Sequence, residues 1–237
     1  MSSPVIVSLD FESGDEALAL VRLLGPAADA YKIGLQTLTE AGPSLVRELV
    51  RSGHQVFLDL KLHEIPNSVA GAVRAAGKLG ASTVTVHASA GSAVLRAAVA
   101  AAKPFPQLRV LALTVITSLV DADLTEIGLA PSVEQQVLRL AALAGDAGCH
   151  GVIASANEVA PLRRLLPAQA LIVCPGIQLP GSASTDQARL AGPRAAAEAG
   201  ASQVVIGRAI TAAADPVEAY RLALTEFLEG AAAYSRQ

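Results

Sequence analysis

Residues 55–80 read QVFLDLKLHEIPNSVAGAVRAAGKLG. The first seven, QVFLDLK, are a short apolar run of the kind that forms a strand buried on both faces, as parallel strands covered by helices are. The last thirteen, SVAGAVRAAGKLG, are Ala-rich and amphipathic and stop on a glycine, the signature of a helix with its C-cap. Strand then helix is one βα unit, and it carries three charges in DLKLHEIPN: Asp59, Lys61 and Glu64. Side chains alternate along a strand, so Asp59 and Lys61 are expected on one face. A surface salt bridge is the plain reading of such a pair and is worth little. The apolar neighbours Val56, Phe57, Leu58, Leu60 and Leu62 argue instead for charge placed where it is expensive, which implies a use for it.

The same unit recurs in both directions along the chain. Strand-like runs stand at PVIVSLD (4–10), AYKIG (30–34), QVFLDLK (55–61), STVTVHA (82–88), RVLALTV (109–115), GVIAS (151–155), LIVCPG (171–176) and QVVIGR (203–208). Between them lie helix-like stretches such as EALALVRLL, PSLVRELVRSG, AVLRAAVAAA, VEQQVLRLAALAGDAG and RAAAEAGA. Eight strand–helix units at about 30 residues each predict a (β/α)8 TIM barrel, expected to be one catalytic domain over 1–237. An open doubly wound sheet has no reason to stop at eight equal units.

Composition agrees with a large buried core: the 237 residues are 52% hydrophobic and 16% charged, and the mean hydropathy is +0.46. These values exclude a disordered chain. The net charge of −3 and the lack of any basic cluster argue against a nucleic-acid surface. A small anionic ligand needs only a local cationic site. Cys149 and Cys174 lack metal-ligand spacing and are expected to be reduced core thiols. The opening MSSPVIVSLD has no basic segment before its apolar run, and no long uninterrupted apolar span follows, so no membrane association and a cytoplasmic location are expected.

In a TIM barrel the active site lies at the C-terminal ends of the strands. The polar residues at those ends are Asp10, Lys32, Asp59 with Lys61, His87, Thr117 with Ser118, Pro175-Gly176 and Gly207-Arg208. The fold often binds phosphate after strands 7 and 8. VVIGRAIT supplies a small Gly207 for close approach and an Arg208 for a bidentate grip. With the Gly/Ser-rich PGIQLPGSASTDQ beyond strand 7, this points to a phosphorylated substrate.

These motifs together carry a resemblance. DLKLHEIPN, LDF (9–11), YKIG (31–34), LTVITS (113–118), CPGI (174–177), STDQ (184–187) and VVIGRAIT (204–211) are similar to the orotidine 5'-phosphate decarboxylase family of the bacterial type, over roughly Val5 to Phe227. The resemblance implies conversion of orotidine 5'-phosphate to uridine 5'-phosphate and CO2 in de novo pyrimidine biosynthesis, without metal or other cofactor. It also implies a homodimer with shared active sites. Loss of CO2 would leave a carbanion that no π system delocalises, so its stabilisation must be electrostatic and preorganised. By this resemblance Lys61 stabilises that charge and donates the proton. Asp59 lies by the departing carboxylate and, with Lys32 and Glu64, holds Lys61. Asp10, Lys32, Glu64 and Ser68 take ribose hydroxyls. Ser118 reads the pyrimidine edge; Thr117 and Pro175 are expected in the substrate site. Gln187, Gly207 and Arg208 take the phosphate, and Gln178 stands where the family has a phosphate-clamping arginine.

Bland roles compete for several of these positions: Asp10 as a helix cap, Ser118 as a helix cap, Gln187 as a solvated loop residue, and His87 as a hydrogen-bonded structural histidine. Two positions depart from the family pattern. Glu64 replaces the final aspartate of D-x-K-x-x-D, and Gln178 removes a cation, which either weakens phosphate binding or is made good by a neighbour such as Arg189 or Arg194. Two rival functions share the barrel. One is a metal-dependent sugar-phosphate decarboxylase or synthase using Asp59, Glu64 or His87; the other is a catalytically silent phosphate-binding barrel.

Overall fold

The computed structural model describes residues 3–130, 132–180 and 191–236. Its centre is a closed parallel barrel in which each strand pairs with the next and β8 returns to β1. The strands are β1 Val5–Leu9, β2 Ala30–Gly34, β3 Gln55–Leu62, β4 Thr83–His87, β5 Arg109–Leu113, β6 Gly151–Ile153, β7 Leu171–Cys174 and β8 Gln203–Ile206. Every run read as a strand is one. Around them lie α1 Gly14–Leu24, α2 Leu35–Arg51, α3 Pro66–Leu79, α4 Ser92–Ala102, α5 Asp121–Glu126, α6 Val133–Asp146, α7 Val159–Leu165, α8 Pro193–Glu198, α9 Arg208–Thr211 and α10 Pro216–Tyr234.

Local chemistry sets the helix ends. The Ser13 and Asp215 side chains accept backbone N–H bonds at the starts of α1 and α10, and Pro66, Pro193 and Pro216 open their helices where a missing N–H costs nothing. The helix expected from Pro43 begins earlier, at Leu35, and breaks inside at Gly42, whose φ of 66° lies in the left-handed region. Pro43 follows at once and cannot donate to the preceding turn, so the two halves meet at an angle.

Alternation along each strand divides the core in two. Val5, Val7, Leu9, Tyr31, Ile33, Val56, Leu58, Val84, Val86, Val110 and Ala112 join the helices in the outer cluster. Ile6, Ala30, Phe57, Leu111, Leu113, Ile153, Val173 and Val205 fill the barrel interior. One more inward step along β1, β2, β3 and β4 gives Ser8, Lys32, Asp59 and Thr85, so the apolar plug ends where a polar layer begins.

β3 departs from regular geometry at its functional end. Leu58 pairs with Val84 and Leu62 with Val86, four steps on one strand against two on the other. This is a bulge, and within it Lys61 has φ 46°, a left-handed conformation that a lysine adopts only when its surroundings hold it there.

Candidate active site

The polar layer opens into a cavity of about 550 Å³ at the C-terminal mouth. Its walls include Ser8, Asp10, Lys32, Asp59, Lys61, Thr117, Ser118, Pro175, Gly176, Gly207 and Arg208, and Phe57, Leu113, Ile153 and Val205 form an apolar floor. The expected site residues Asp10, Lys32, Asp59, Lys61, Thr117, Ser118, Pro175, Gly207 and Arg208 therefore converge on one space.

Four charges form a row of alternating sign. Lys32 Nζ is 3.2 Å from Asp10 Oδ1 and 3.6 Å from Asp59 Oδ2, and Lys61 Nζ donates to the same Asp59 oxygen at 2.6 Å. Side-chain exposure is 10% at Lys32 and 13% at Asp59, rising to 37% at Lys61 and 49% at Asp10. The central pair is the buried one, and two acids against two bases leave the row with no net charge, which makes its burial tolerable. Asp59 and Lys61 do meet on one side, as alternation requires, although the backbone between them is bulged rather than plain strand.

Neighbours that the motifs did not mark hold this row. Ser8 donates to Asp10 Oδ2 at 2.5 Å. Thr37, fully buried on α2, donates to the Leu9 carbonyl at 2.7 Å and accepts the Phe11 N–H at 2.9 Å, fixing the backbone on both sides of Asp10. A Cβ on Gly34 would fall 2.8 Å from Asp10 Oδ1 and 3.1 Å from Lys32 Nζ, so a glycine there leaves room for the ion pair. Thr85 donates to Asp59 Oδ1 at 2.9 Å and accepts the Lys61 N–H at 2.8 Å. The signal for Ser8 and Thr85 lay in the alternation of VIVSLD and TVTVH, where a polar residue occupies an inward position beside the charged ones.

Glu64 lies elsewhere. Among the described residues it joins no ion pair, and it is not part of the cavity wall. Its exposed carboxylate accepts the Ile65 N–H at 2.9 Å, and that bond, followed by one to Ser68, lowers its pKa below the usual carboxylate value. The fourth member of the charged row is thus Asp10, not Glu64, and Ser68 is likewise engaged with Glu64 outside the cavity wall. Gln178 is also outside that wall. Its N–H pairs with the Ala191 carbonyl at 3.0 Å, beside the Ile177–Ala191 bridge. Arg194 pairs with Glu229 on α10, which directs it away from the role of substitute cation. Gln187 and Arg189 lie outside the described residues.

Ser118 does not cap α5, because Val120 precedes that helix and its N–H is met by Asp123. His87 is hydrogen-bonded, with Nδ1 2.7 Å from Ser89 Oγ and its ring stacked on His63 at 5.2 Å. Burial first, then the charges of His63 and Lys61, lower its pKa and favour the neutral ring. Neither cysteine forms a disulfide; Cys174 is buried and Cys149 half-buried, and burial pushes the Cys149 thiol up to about 12. Among the described residues no three or more His, Cys, Asp or Glu side chains gather as a metal site, and no helix is long and apolar enough to cross a membrane.

Residues 3–223 match the model of the orotidine 5'-phosphate decarboxylase / HUMPS family. The chain belongs to this family. It is 46% identical over 221 residues to an orotidine 5'-phosphate decarboxylase from Chromobacterium violaceum, covering 93% of this chain and 90% of that one. To the enzyme of that name from Sodalis glossinidius it is 45% identical over 234 residues, covering 97% and 92%. Among solved structures it superposes on the orotidine 5'-phosphate decarboxylase of Lactobacillus acidophilus with a TM-score of 0.85 and 35% identity, over 95% of this chain and 99% of the other.

Proposed function

We propose that this chain is a carboxy-lyase that converts orotidine 5'-phosphate to uridine 5'-phosphate and CO2, as one catalytic domain acting in the cytoplasm in de novo pyrimidine biosynthesis. The observation that carries this reading is the Asp10–Lys32–Asp59–Lys61 row standing at the edge of an apolar floor. In the reaction the bond between the pyrimidine ring and its carboxylate breaks, CO2 leaves, and the electron pair stays on the ring carbon. Lys61 faces that carbon with an ammonium already oriented by Asp59, stabilises the pair as it develops and then delivers a proton to it. No solvent or side chain has to reorganise at the moment of bond breaking. Asp59 sits beside the departing carboxylate, while Asp10 and Lys32 take ribose hydroxyls. Thr117 and Ser118 face the base, and Pro175 walls the site. Gly207, Arg208 and Gln187 take the phosphate, and Gln178 is a further substrate-binding residue.

No metal or cofactor is part of this proposal. The metal-dependent alternative would need ligands from Asp59, Glu64 or His87, and Asp59 is committed to Lys61, Lys32 and Thr85. The deciding experiment follows the loss of ultraviolet absorbance of orotidine 5'-phosphate with and without a chelator. Turnover that survives the chelator supports the proposal. Turnover abolished by it favours the metal-dependent reading, and no turnover in either case leaves a silent barrel.

The proposal includes a twofold homodimer in which the Glu64–Ile65 loop and Ser68 serve the partner's site. Its support is the position of Glu64 outside its own cavity and the 61% exposure of Ile65 beside it. Mixing Lys61→Ala with Glu64→Ala subunits should then make one site of each mixed dimer whole. With random exchange about a quarter of all sites recover; no recovery after proven exchange would place Glu64 in its own chain's site.

A further inference from the structure

We infer that Thr85 is a positioning residue for the decarboxylation, orienting both Asp59 and Lys61 through one hydroxyl; this rests on the reading above and assigns a role that the charged motif does not contain. Thr85 is fully buried at the centre of β4, on the inward face, between the outward Val84 and Val86. Its Oγ1 lies 2.8 Å from the Lys61 backbone nitrogen and 2.9 Å from Asp59 Oδ1.

The direction of these bonds follows from the groups. A backbone N–H can only donate, so the threonine oxygen is the acceptor from Lys61. Its single proton is then available for Asp59, which as a carboxylate can only accept. One hydroxyl therefore fixes two things. It holds Oδ1 of Asp59, which leaves Oδ2 turned toward both ammonium groups, at 2.6 Å from Lys61 and 3.6 Å from Lys32. It also satisfies the peptide N–H of a lysine whose φ of 46° lies in a bulge where the regular ladder to β4 is interrupted. The β4 side chain replaces the backbone partner that the bulge removes, and links that replacement to the orientation of the acid two residues earlier. A valine has nearly the same shape and supports neither bond.

The test compares Thr85→Val, Thr85→Ser and the unmodified enzyme with orotidine 5'-phosphate, with a crystal structure of Thr85→Val. A reacting group displaced by about an ångström loses on the order of 100-fold in rate. Thr85→Val should accordingly lose roughly that factor in kcat with KM nearly unchanged, because Thr85 does not hold the phosphate, and Thr85→Ser should recover most of the rate. In the crystal structure the Asp59 carboxylate should turn and its contact with Lys61 lengthen. If Thr85→Val does not fold, Thr85→Cys, with a weaker S–H donor, should fall between serine and the unmodified enzyme's level on one side and inactivity on the other. A folded Thr85→Val or Thr85→Cys with unchanged kcat, a serine variant no better than valine, or an unmoved Asp59 would each overturn the inference. An unmodified protein without turnover removes the decarboxylase reading itself, and the Asp59 position in Thr85→Val still decides whether Thr85 orients it.

Discussion

The two ends of the barrel treat buried polar groups in opposite ways. At the N-terminal end they are matched to backbone. Arg163 gives Nε to the Gly200 carbonyl, Nη1 to the Ala170 carbonyl and Nη2 to Ser202 Oγ, all at 2.6–2.7 Å. Gln203 donates to the Ser3 carbonyl at 2.7 Å, and His150 Nδ1 accepts the Val110 N–H at 3.0 Å. Each such group closes a gap between the segments entering neighbouring strands. A cavity of about 440 Å³ also lies at this end, around Arg109, Cys149 and His150, but among the described residues no row of charges faces it. At the C-terminal mouth the charged groups hold one another side chain to side chain, Thr37 and Thr85 tie that row to the backbone, and the strained Lys61 peptide sits among them. The difference separates groups that stabilise the barrel from groups kept ready for a ligand.

Substitutions at the two ends should therefore separate activity from stability. Lys61→Ala is expected to have the largest effect: a roughly 100,000-fold loss in kcat, because proton donor and carbanion stabiliser vanish together. Its thermal midpoint should hardly change. A folded variant turning over near normally would erase the contrast at its strongest point. Arg208→Ala comes next, with a roughly 100- to 1000-fold loss in kcat/KM for orotidine 5'-phosphate and little change for the unphosphorylated nucleoside, since remote phosphate binding is used at the reacting centre. Equal losses for both substrates would remove Arg208 from phosphate binding. At the other end, Arg163→Met should cost about 2–4 kcal/mol in denaturant unfolding, because it strands the Gly200 and Ala170 carbonyls and takes one of two partners from Ser202 Oγ. Its kcat should stay within about twofold, since its contacts are far from the mouth and distant sites act independently. The smallest effect is expected from Gln178→Arg, a tightening of substrate binding by less than about tenfold, as a cation near the phosphate adds one charge-assisted contact from outside the cavity wall. Unchanged affinity would mean that another cation already does this.

The same division governs what could be read in the sequence. The eight strands were legible because each is a compact β-branched run, and the mouth residues Asp10, Lys32, Asp59, Lys61 and Arg208 were legible because charge at such strand ends is conspicuous. The α2 break was half visible: Pro43 marked a boundary, but the turns before it, Leu35 to Ala41, are too polar to announce a helix. The β3 bulge left no sequence mark, since Lys61 is not a residue type that favours positive φ. Thr85 and Ser8 were visible only as breaks in an apolar alternation, a signal that needs the barrel's inward face to be known first. Glu64 shows the opposite limit. Its motif spacing places it beside Lys61 in sequence, whereas the chain turns into α3 and carries it outside its own cavity.

In the proposed mechanism the charges at the mouth act as one preorganised unit. A double-mutant cycle on Asp59 and Lys61 tests this most directly, measuring release of labelled CO2 from carboxyl-labelled orotidine 5'-phosphate for Asp59→Ala, Lys61→Ala and the double variant. Groups that act as a unit are strongly non-additive in their effects on rate. The double variant should be about as slow as the slower single variant, because losing either partner already dismantles the pair. Losses that multiply across the cycle would show two independent contributions and contradict it.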